Sequence, residues 1–301
     1  MSIRFIRPVS LSARYALRLA IVSFLLLIGS FAAFRLGSLQ VPTFVLLSLL
    51  SGGLALLTVP LALWGLWRLW QVGAEGGIAA SKALIIAVLP LSVLGVAAHY
   101  YETRPQIFEI VTDTEEPAAW IAPPKAVQGW MPRPKSDPAS NARLQAAAYP
   151  TLTVRSYNGA LDRVYQTARQ VASDQRFKVT QTAGAAYARP DFPATPMRPE
   201  LLGDGTAVKA PVPLARPEPE QEMPDTDNEP AGTIRIQATS RDFITGLPFD
   251  IVIRLREEED SVLVDMRVAS RYGPHDLGLS AAIANRYLTA MDGALLGIAA
   301  E

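Results

Sequence analysis

Five residues with chemically useful side chains lie close together near the C-terminal end of the sequence. They are Arg267, Ser270, Arg271, His275 and Asp276. Arginine side chains near the start of a helix can hold an anion, because the backbone N–H groups of the first helical turn are free to bind it. A structural corner is the favoured interpretation, with Arg267 paired to Asp250 across two strands and Asp276 capping a helix. It is the candidate ligand-binding site under the first interpretation.

A serine hydrolase is the enzymatic alternative for the same stretch, with His275 acting as general base for Ser270. The sequence shows no nucleophile elbow and no third group to orient the imidazole. The chain has no cysteine and only two histidines, which excludes thiolate chemistry and a histidine-rich metal centre. The acidic residues at 113–116 lack the spacing of a calcium loop. We therefore predict no catalytic residue, no metal site and no cofactor.

Three apolar runs occupy the N-terminal third of the sequence, at about 17–36, 41–67 and 82–101. Each is long enough, at about 1.5 Å per helical residue, to cross a hydrocarbon core of about 30 Å. We predict a membrane anchor over 1–104, with the lipid bilayer as a partner. A signal peptide is the alternative for the first run, although the run is longer than most signal sequences and two more spans follow. No run contains an acidic residue, so nothing indicates the ion path of a transporter.

The basic residues that flank these runs predict the orientation of the anchor. Six precede the first run or separate the second from the third, namely Arg4, Arg7, Arg14, Arg18, Arg68 and Lys82. The opposite side has Arg35 and Arg104 nearby. Because basic residues concentrate on the cytoplasmic side of a membrane, the N-terminus is predicted to lie in the cytoplasm and the C-terminal domain outside.

Behind the anchor, the sequence predicts an α+β domain over 151–301. Residues 105–150 are rich in proline and alanine and predict an extended approach segment. Apolar residues recur at three- and four-residue steps over about 159–173 and again over about 280–296, which predicts two amphipathic helices. Between them, one short strand and three longer ones are indicated, the longer three by apolar residues alternating with polar ones. The predicted fold class is three transmembrane helices followed by an antiparallel β-sheet domain with two packed helices.

A proline-rich stretch at about 183–230 interrupts this domain. It holds ten of the chain's 24 prolines and is predominantly acidic. Such a segment cannot bury enough apolar surface to offset the entropy lost on ordering it, so we predict a disordered insertion. A polyproline-type motif that binds a partner is the alternative.

The last two strands form a hairpin whose register can be predicted. A loop centred on Glu258 and Glu259 places every apolar residue on one side of the sheet. The pairs that this loop predicts are Ile253 with Val264, Ile251 with Met266, and Asp250 with Arg267.

Residues 268–278 read Val-Ala-Ser-Arg-Tyr-Gly-Pro-His-Asp-Leu-Gly. They resemble the Arg-Ser-x-Ser-Arg-x-Gly-x-x-Asp-Leu-Gly signature of a bacterial and plastid family called domain of unknown function 1499. Similar segments lie at 111–117, 148–150, 236–238 and 249–254. The resemblance covers roughly 106–296, with departures at Leu279 and Ser280, where the family has Val-Asn, and in the proline-rich insertion. Because the family has no assigned activity, the resemblance implies a fold and leaves the function open.

Together these observations predict a protein of the bacterial cytoplasmic membrane whose periplasmic domain binds a partner protein of the envelope or a small anionic ligand. An envelope hydrolase acting at the corner between Arg271 and Asp276 is the second hypothesis. A structural or assembly factor that uses the proline-rich insertion as its contact is the third. Nucleic acid is excluded as a partner, because the 28 basic residues are balanced by 28 acidic ones and phosphate backbones require a concentrated basic surface.

Overall fold

The chain, seen in a computed structural model, consists of three long helices followed by an α+β domain. The structure describes residues 10–73, 75–135, 137–188 and 229–296. Helices α1 (Leu11–Arg35), α2 (Val41–Val72) and α3 (Gly77–Thr103) are each long and apolar enough to cross a membrane. Three long apolar helices are therefore confirmed where the spans were predicted. Each helix is longer than its apolar run, because polar and basic flanking residues continue the helix beyond it.

Small side chains line the contacts between the three helices. Ser23 of α1 and Ser51 of α2 are buried, and each hydroxyl donates to the other residue's carbonyl, at 2.8 and 2.7 Å. Gly52 of α2 lies so close to Leu94 of α3 that an added Cβ would stand 2.9 Å from that side chain. Small residues at such positions let helix backbones approach each other within a membrane, and paired hydroxyls satisfy their own hydrogen bonds there.

Six strands, all later in the sequence than the three long helices, form one antiparallel sheet. They are β1 (Glu109–Val111), β2 (Arg155–Asn158), β3 (Lys178–Ala183), β4 (Thr233–Arg241), β5 (Pro248–Glu257) and β6 (Ser261–Ser270). The order is β1-β6-β5-β4-β3, and β2 pairs with the other half of the β6 edge that β1 occupies. The mixed α+β class is confirmed. Strands β1 and β2 are additions to the prediction, because three or four residues are too few to show a period of two.

One face of the sheet is covered by two helices, as predicted. The helices of the domain are α4 (Pro138–Ala148), α5 (Leu161–Asp174) and α6 (Leu279–Leu296). The apolar stripe of α5 is buried against the sheet, and α6 packs beside it. Tyr287 of α6 joins the two, because its hydroxyl donates to the Ala168 carbonyl at 3.0 Å and its ring stacks on Phe177. Complete burial raises the pKa of Tyr287.

The hairpin register differs from the prediction by two residues. The turn is centred on Glu259 and Asp260, one position later than predicted, so Asp250 lies opposite Ala269 and not opposite Arg267. The predicted strand pairs are therefore wrong. A shift of two residues leaves every side chain on the same face of the sheet, so placing the apolar residues on one side did not distinguish the two registers.

Residues 105–150, predicted to be an extended approach segment, fold against the domain. Strand β1 lies at the sheet edge, and the side chain of Gln145 in α4 bonds both the N–H and the carbonyl of Val111, at 3.1 and 2.5 Å. The sequence did not predict these two elements, because β1 is very short and α4 lacks an apolar stripe.

A segment that we call the strap, residues 113–122, crosses the polar face of the sheet. Arg254 donates to the Asp113 carboxylate at 3.1 Å, and the side-chain amide of Gln237 bonds the N–H and the carbonyl of Ala122 at 2.9 and 2.8 Å. Two acidic residues of the strap, Asp113 and Glu116, thus pair with arginines. Over the described ranges, no group of His, Cys, Asp or Glu side chains is arranged to hold a metal ion.

The insertion predicted at 183–230 lies largely outside the described residues. Its first residues complete β3 and form a short 3-10 helix, Ala185–Ala188, and Glu229 at its end pairs with Arg235. The folded domain therefore extends a few residues further into this stretch than predicted.

Candidate functional site

Of the five predicted site residues, Arg267 lies apart from the other four, which are at the end of β6 and in the turn before α6. Arg267 lies on the polar face of the sheet, where it pairs with Glu109 and stacks over the ring of Trp120 at 4.9 Å. The predicted pair between Arg267 and Asp250 is wrong. Asp250 instead accepts two hydrogen bonds from Arg271, at 2.6 and 2.8 Å, as a consequence of the two-residue change in register.

The hydroxyl of Ser270 and the ring of His275 are both bound to backbone at the corner, which we define as residues 270–278. Ser270 Oγ donates to the carbonyl two residues further along, at 3.1 Å. His275 Nδ1 accepts from the N–H of Leu277 at 2.8 Å, so the proton of the neutral ring is on Nε2, which lies 3.2 Å from the Arg104 carbonyl. A serine hydrolase needs a contact between nucleophile and base, and these hydrogen bonds direct both groups elsewhere.

Asp276 caps α6, as the corner interpretation predicts. Its two carboxylate oxygens accept from the N–H groups of Gly278 and Ser280, at 2.8 and 3.0 Å. The protein's own carboxylate therefore fills the position where an anion was predicted to bind. Gly278 has φ +76°, and an added Cβ would stand 3.0 Å from the hydroxyl of Tyr149. Gly278 of the corner thus packs directly against Tyr149, and a larger residue at position 278 would crowd the tyrosine hydroxyl.

The domain, including the corner, also contacts the three N-terminal helices. The ring of His275 stacks on Tyr101 near the end of α3 with centroids 4.9 Å apart, and Trp130 Nε1 donates to the Pro42 carbonyl of α2 at 3.0 Å. Arg35 at the end of α1 donates to carbonyls of the loop between β4 and β5. The end of α1, the start of α2 and the end of α3 therefore lie together beside the domain.

A largely apolar cavity of about 660 Å³ lies at this junction, and we call it the apolar cleft. Side chains from the helices that line it are Val41, Val45, Leu49 and Tyr101, and those from the domain include Trp130, Phe249, Tyr272, His275 and Leu277. Its size falls in the range of about 300–1,000 Å³ that is typical of sites for small molecules.

A second cavity of about 620 Å³ lies on the other side of Pro248, and we call it the basic cleft. It is lined by six cationic side chains, Arg35, Arg176, Lys178, Arg241, Arg271 and Arg286, and by two acidic ones, Asp174 and Asp242. Asp174 accepts from Gln170, and Asp242 from its own loop, at 2.7 to 2.9 Å. Of the six cations, Arg271 alone has an ion pair within the described ranges, with Asp250, and these bonds raise the pKa of Arg271.

Each cleft contains one residue in a strained backbone conformation. Within the described ranges, the non-glycine residues with positive φ are Arg176, at +60°, and Leu277, at +58°. Arg176 occupies the position after α5 where helices usually have glycine, and its N–H bonds the Ser173 carbonyl at 2.8 Å. A non-glycine residue in this conformation lowers the stability of the fold by about 1 kcal/mol relative to glycine. Such residues are often found at functional sites, where the side chain has a role of its own.

Sequence reasoning predicted Arg271 and missed the other basic residues of this cleft. They come from α1, the end of α5, β3, β4 and α6, so no sequence motif joins them. The pairing of β3 with β4 is the signal that was available. Lys178 lies opposite Thr239 in that register. Arg176, two residues before Lys178, and Arg241, two residues after Thr239, therefore lie at the same end of the sheet.

A family model described as a protein of unknown function, DUF1499, matches residues 131–291. The match covers more than half of the 301 residues, and the chain belongs to this family. It includes the corner and most of both clefts, and it begins after the strap. No curated protein and no solved structure matches the chain.

Proposed function

We propose that this family member is a membrane-anchored binding protein whose domain holds a small anionic group, of the phosphate type, in the basic cleft. The observation that carries the proposal is the concentration of cationic side chains there. Arg176, Lys178, Arg241 and Arg286 line the cleft, and no ion pair is seen for them among the described residues. Like charges brought together without counter-charges repel one another, and a bound anion relieves that repulsion.

The strained backbone of Arg176 supports the same proposal. Glycine would remove the strain at this position, so the arginine is costly to the fold and valuable only through its side chain. The side chain also lies over Phe243, which holds the guanidinium beside the cleft.

The basic cleft is tested by measuring binding of inorganic phosphate to the full-length protein in detergent micelles. We expect Arg176→Gly and Arg241→Gln each to weaken binding about tenfold, because a hydrogen bond to a charged group contributes about 1.5–3 kcal/mol. Arg176→Gly should at the same time keep or raise the thermal stability of the domain, since it removes the positive-φ strain.

The matched control is Arg163→Gln, which removes another exposed arginine, in α5 and outside the cleft. This variant should bind phosphate as the wild type does. Equal loss in Arg163→Gln and Arg241→Gln would mean that the protein attracts phosphate through its overall charge, and the proposed site would be abandoned.

We further propose that the domain lies in the periplasm of a bacterium, with the N-terminus in the cytoplasm. The distribution of basic residues around the three helices supports this orientation. Fusions at Glu301 to alkaline phosphatase and to a fluorescent protein active only in the cytoplasm test it. We expect phosphatase activity without fluorescence, and the reverse result would place the basic cleft in the cytoplasm.

A further inference from the structure

The two clefts are neighbours and differ in polarity, as a site for one amphiphilic molecule requires. They share Pro248 as a lining residue, and the adjacent residues Ser270 and Arg271 line the apolar and the basic cleft respectively. A ligand with an anionic group and an apolar tail could therefore contact both clefts at once, with the anionic group in one and the tail in the other.

The apolar cleft is continuous with the surface of a membrane-spanning helix. Val41, Val45 and Leu49 are four residues apart and lie on one face of α2, so this wall runs about 12 Å along the helix at 1.5 Å per residue. The wall begins at the end of α2 that meets the domain and continues into the span. An apolar chain in this cleft would extend directly from the hydrocarbon region of the bilayer.

The basic cleft lies beside the same end of the helices. Arg35 at the end of α1 lines it and also binds carbonyls of the loop from β4 to β5. At the tip of that loop Phe243 and Ile244 are exposed, which is unusual for two adjacent large apolar side chains in water and ordinary at a membrane interface. These exposed side chains support a position of the cleft's cations at the level of lipid headgroups.

We infer that the ligand is an anionic phospholipid of the leaflet next to the domain, with its phosphate in the basic cleft and one acyl chain in the apolar cleft. This inference rests on the proposed function and adds the class of ligand. Leu277, the second residue with strained φ, lies in the wall of the apolar cleft, as Arg176 does in the basic one.

The test compares two probes on the full-length protein in maltoside micelles, with bound molecules counted by native mass spectrometry. Glycerol phosphate presents the headgroup without a chain, and phosphatidylglycerol presents both. We expect phosphatidylglycerol to bind at least about tenfold more tightly than glycerol phosphate, since the chain adds buried apolar area. Phosphatidylcholine, which has the same chains and no net charge, should bind more weakly than phosphatidylglycerol by a similar factor.

Val45→Trp fills the apolar cleft and Leu46→Trp is its matched control, because Leu46 is the next residue on α2 and is exposed outside the cleft. Val45→Trp should remove the advantage of phosphatidylglycerol over glycerol phosphate while leaving glycerol phosphate binding unchanged, and Leu46→Trp should change neither. Leu277→Gly provides a second variant that also relieves backbone strain, and it should weaken phosphatidylglycerol binding several-fold.

The possible failures are separable. Equal affinity for the two probes in the wild type, or an undiminished advantage of phosphatidylglycerol in both Val45→Trp and Leu277→Gly, would overturn the lipid inference and leave the anion site standing. If neither glycerol phosphate nor phosphatidylglycerol bound to the wild type, the proposed function would be overturned as well.

Discussion

Replacing Arg254 by alanine should lower the free energy of unfolding of the domain by about 3–5 kcal/mol, the usual cost of leaving a buried charge without its partner. The guanidinium of Arg254 is 8% exposed and bonds Asp265, which is 1% exposed, at 2.8 Å. It also reaches Asp113 of the strap. Its removal therefore leaves the Asp265 carboxylate buried without its close partner and takes away one of the contacts that hold the strap on the polar face. Urea titration of the full-length protein in micelles, read out by proteolysis of the domain, measures the loss.

The loss should depend on pH in a defined direction. Burial raises the pKa of Asp265 above its ordinary value of 3.8, and the bonds from Arg254 oppose that rise. Without Arg254 the folded pKa rises further, so the folded variant favours the protonated carboxyl more than the unfolded chain does. The stability deficit should be smallest near pH 4 and grow as the pH rises through the folded pKa.

Arg256→Ala is the control for this variant. Its side chain is 27% exposed, it lies 4.0 Å from Asp265 and it pairs with the same strap residues. We expect a loss of about 1 kcal/mol, because a partly exposed ion pair contributes little. Equal losses for the two variants would show that binding of the strap, rather than the buried pair with Asp265, determines the stability of this face.

The fold was predictable where the periodicity is long. The three apolar runs, the stripe of α5 and the alternating strands β4 to β6 each extend over enough residues to show a period, and each is present in the structure. Elements of three or four residues, such as β1, gave no such signal. The hairpin register failed for a different reason, since two registers that differ by two residues bury the same side chains and differ in which residues face each other across the strands.

The site was predictable to a smaller extent. A ten-residue stretch of reactive side chains suggested one location, yet neighbours on a strand point to opposite faces, so Arg267 and Ser270 are on different sides of the sheet. The cations of the basic cleft come from five separate places in the sequence, namely α1, the junction of α5 and β3, β4, the corner and α6. Only the pairing of strands and the packing of α5 and α6 bring Arg176, Arg241 and Arg286 together, and composition showed no excess of basic residues that would have pointed to them.

Substitutions of Arg271 and of Asp250 should lower the free energy of unfolding of the domain by different amounts. Asp250 is the buried member of the pair, with 4% of its side chain exposed against 26% for Arg271. Arg271→Ala leaves that carboxylate buried without a partner and should lower the free energy of unfolding by about 2–4 kcal/mol, somewhat less than for a fully buried pair. Asp250→Ala leaves an arginine that can reach water, and the loss should be about 1 kcal/mol.

Binding separates a structural role of Arg271 from a role in the site. Arg271→Ala removes a cation from the basic cleft and uncovers a negative charge beside it, so phosphate affinity should fall more than tenfold. Asp250→Ala frees the same guanidinium from its carboxylate, and phosphate affinity should rise several-fold even though the fold is weakened. Phosphate titration of both variants, at a temperature where each remains folded, decides the matter. A fall in affinity in both variants would mean that the pair only maintains the corner, whereas opposite changes place Arg271 among the groups that hold the anion.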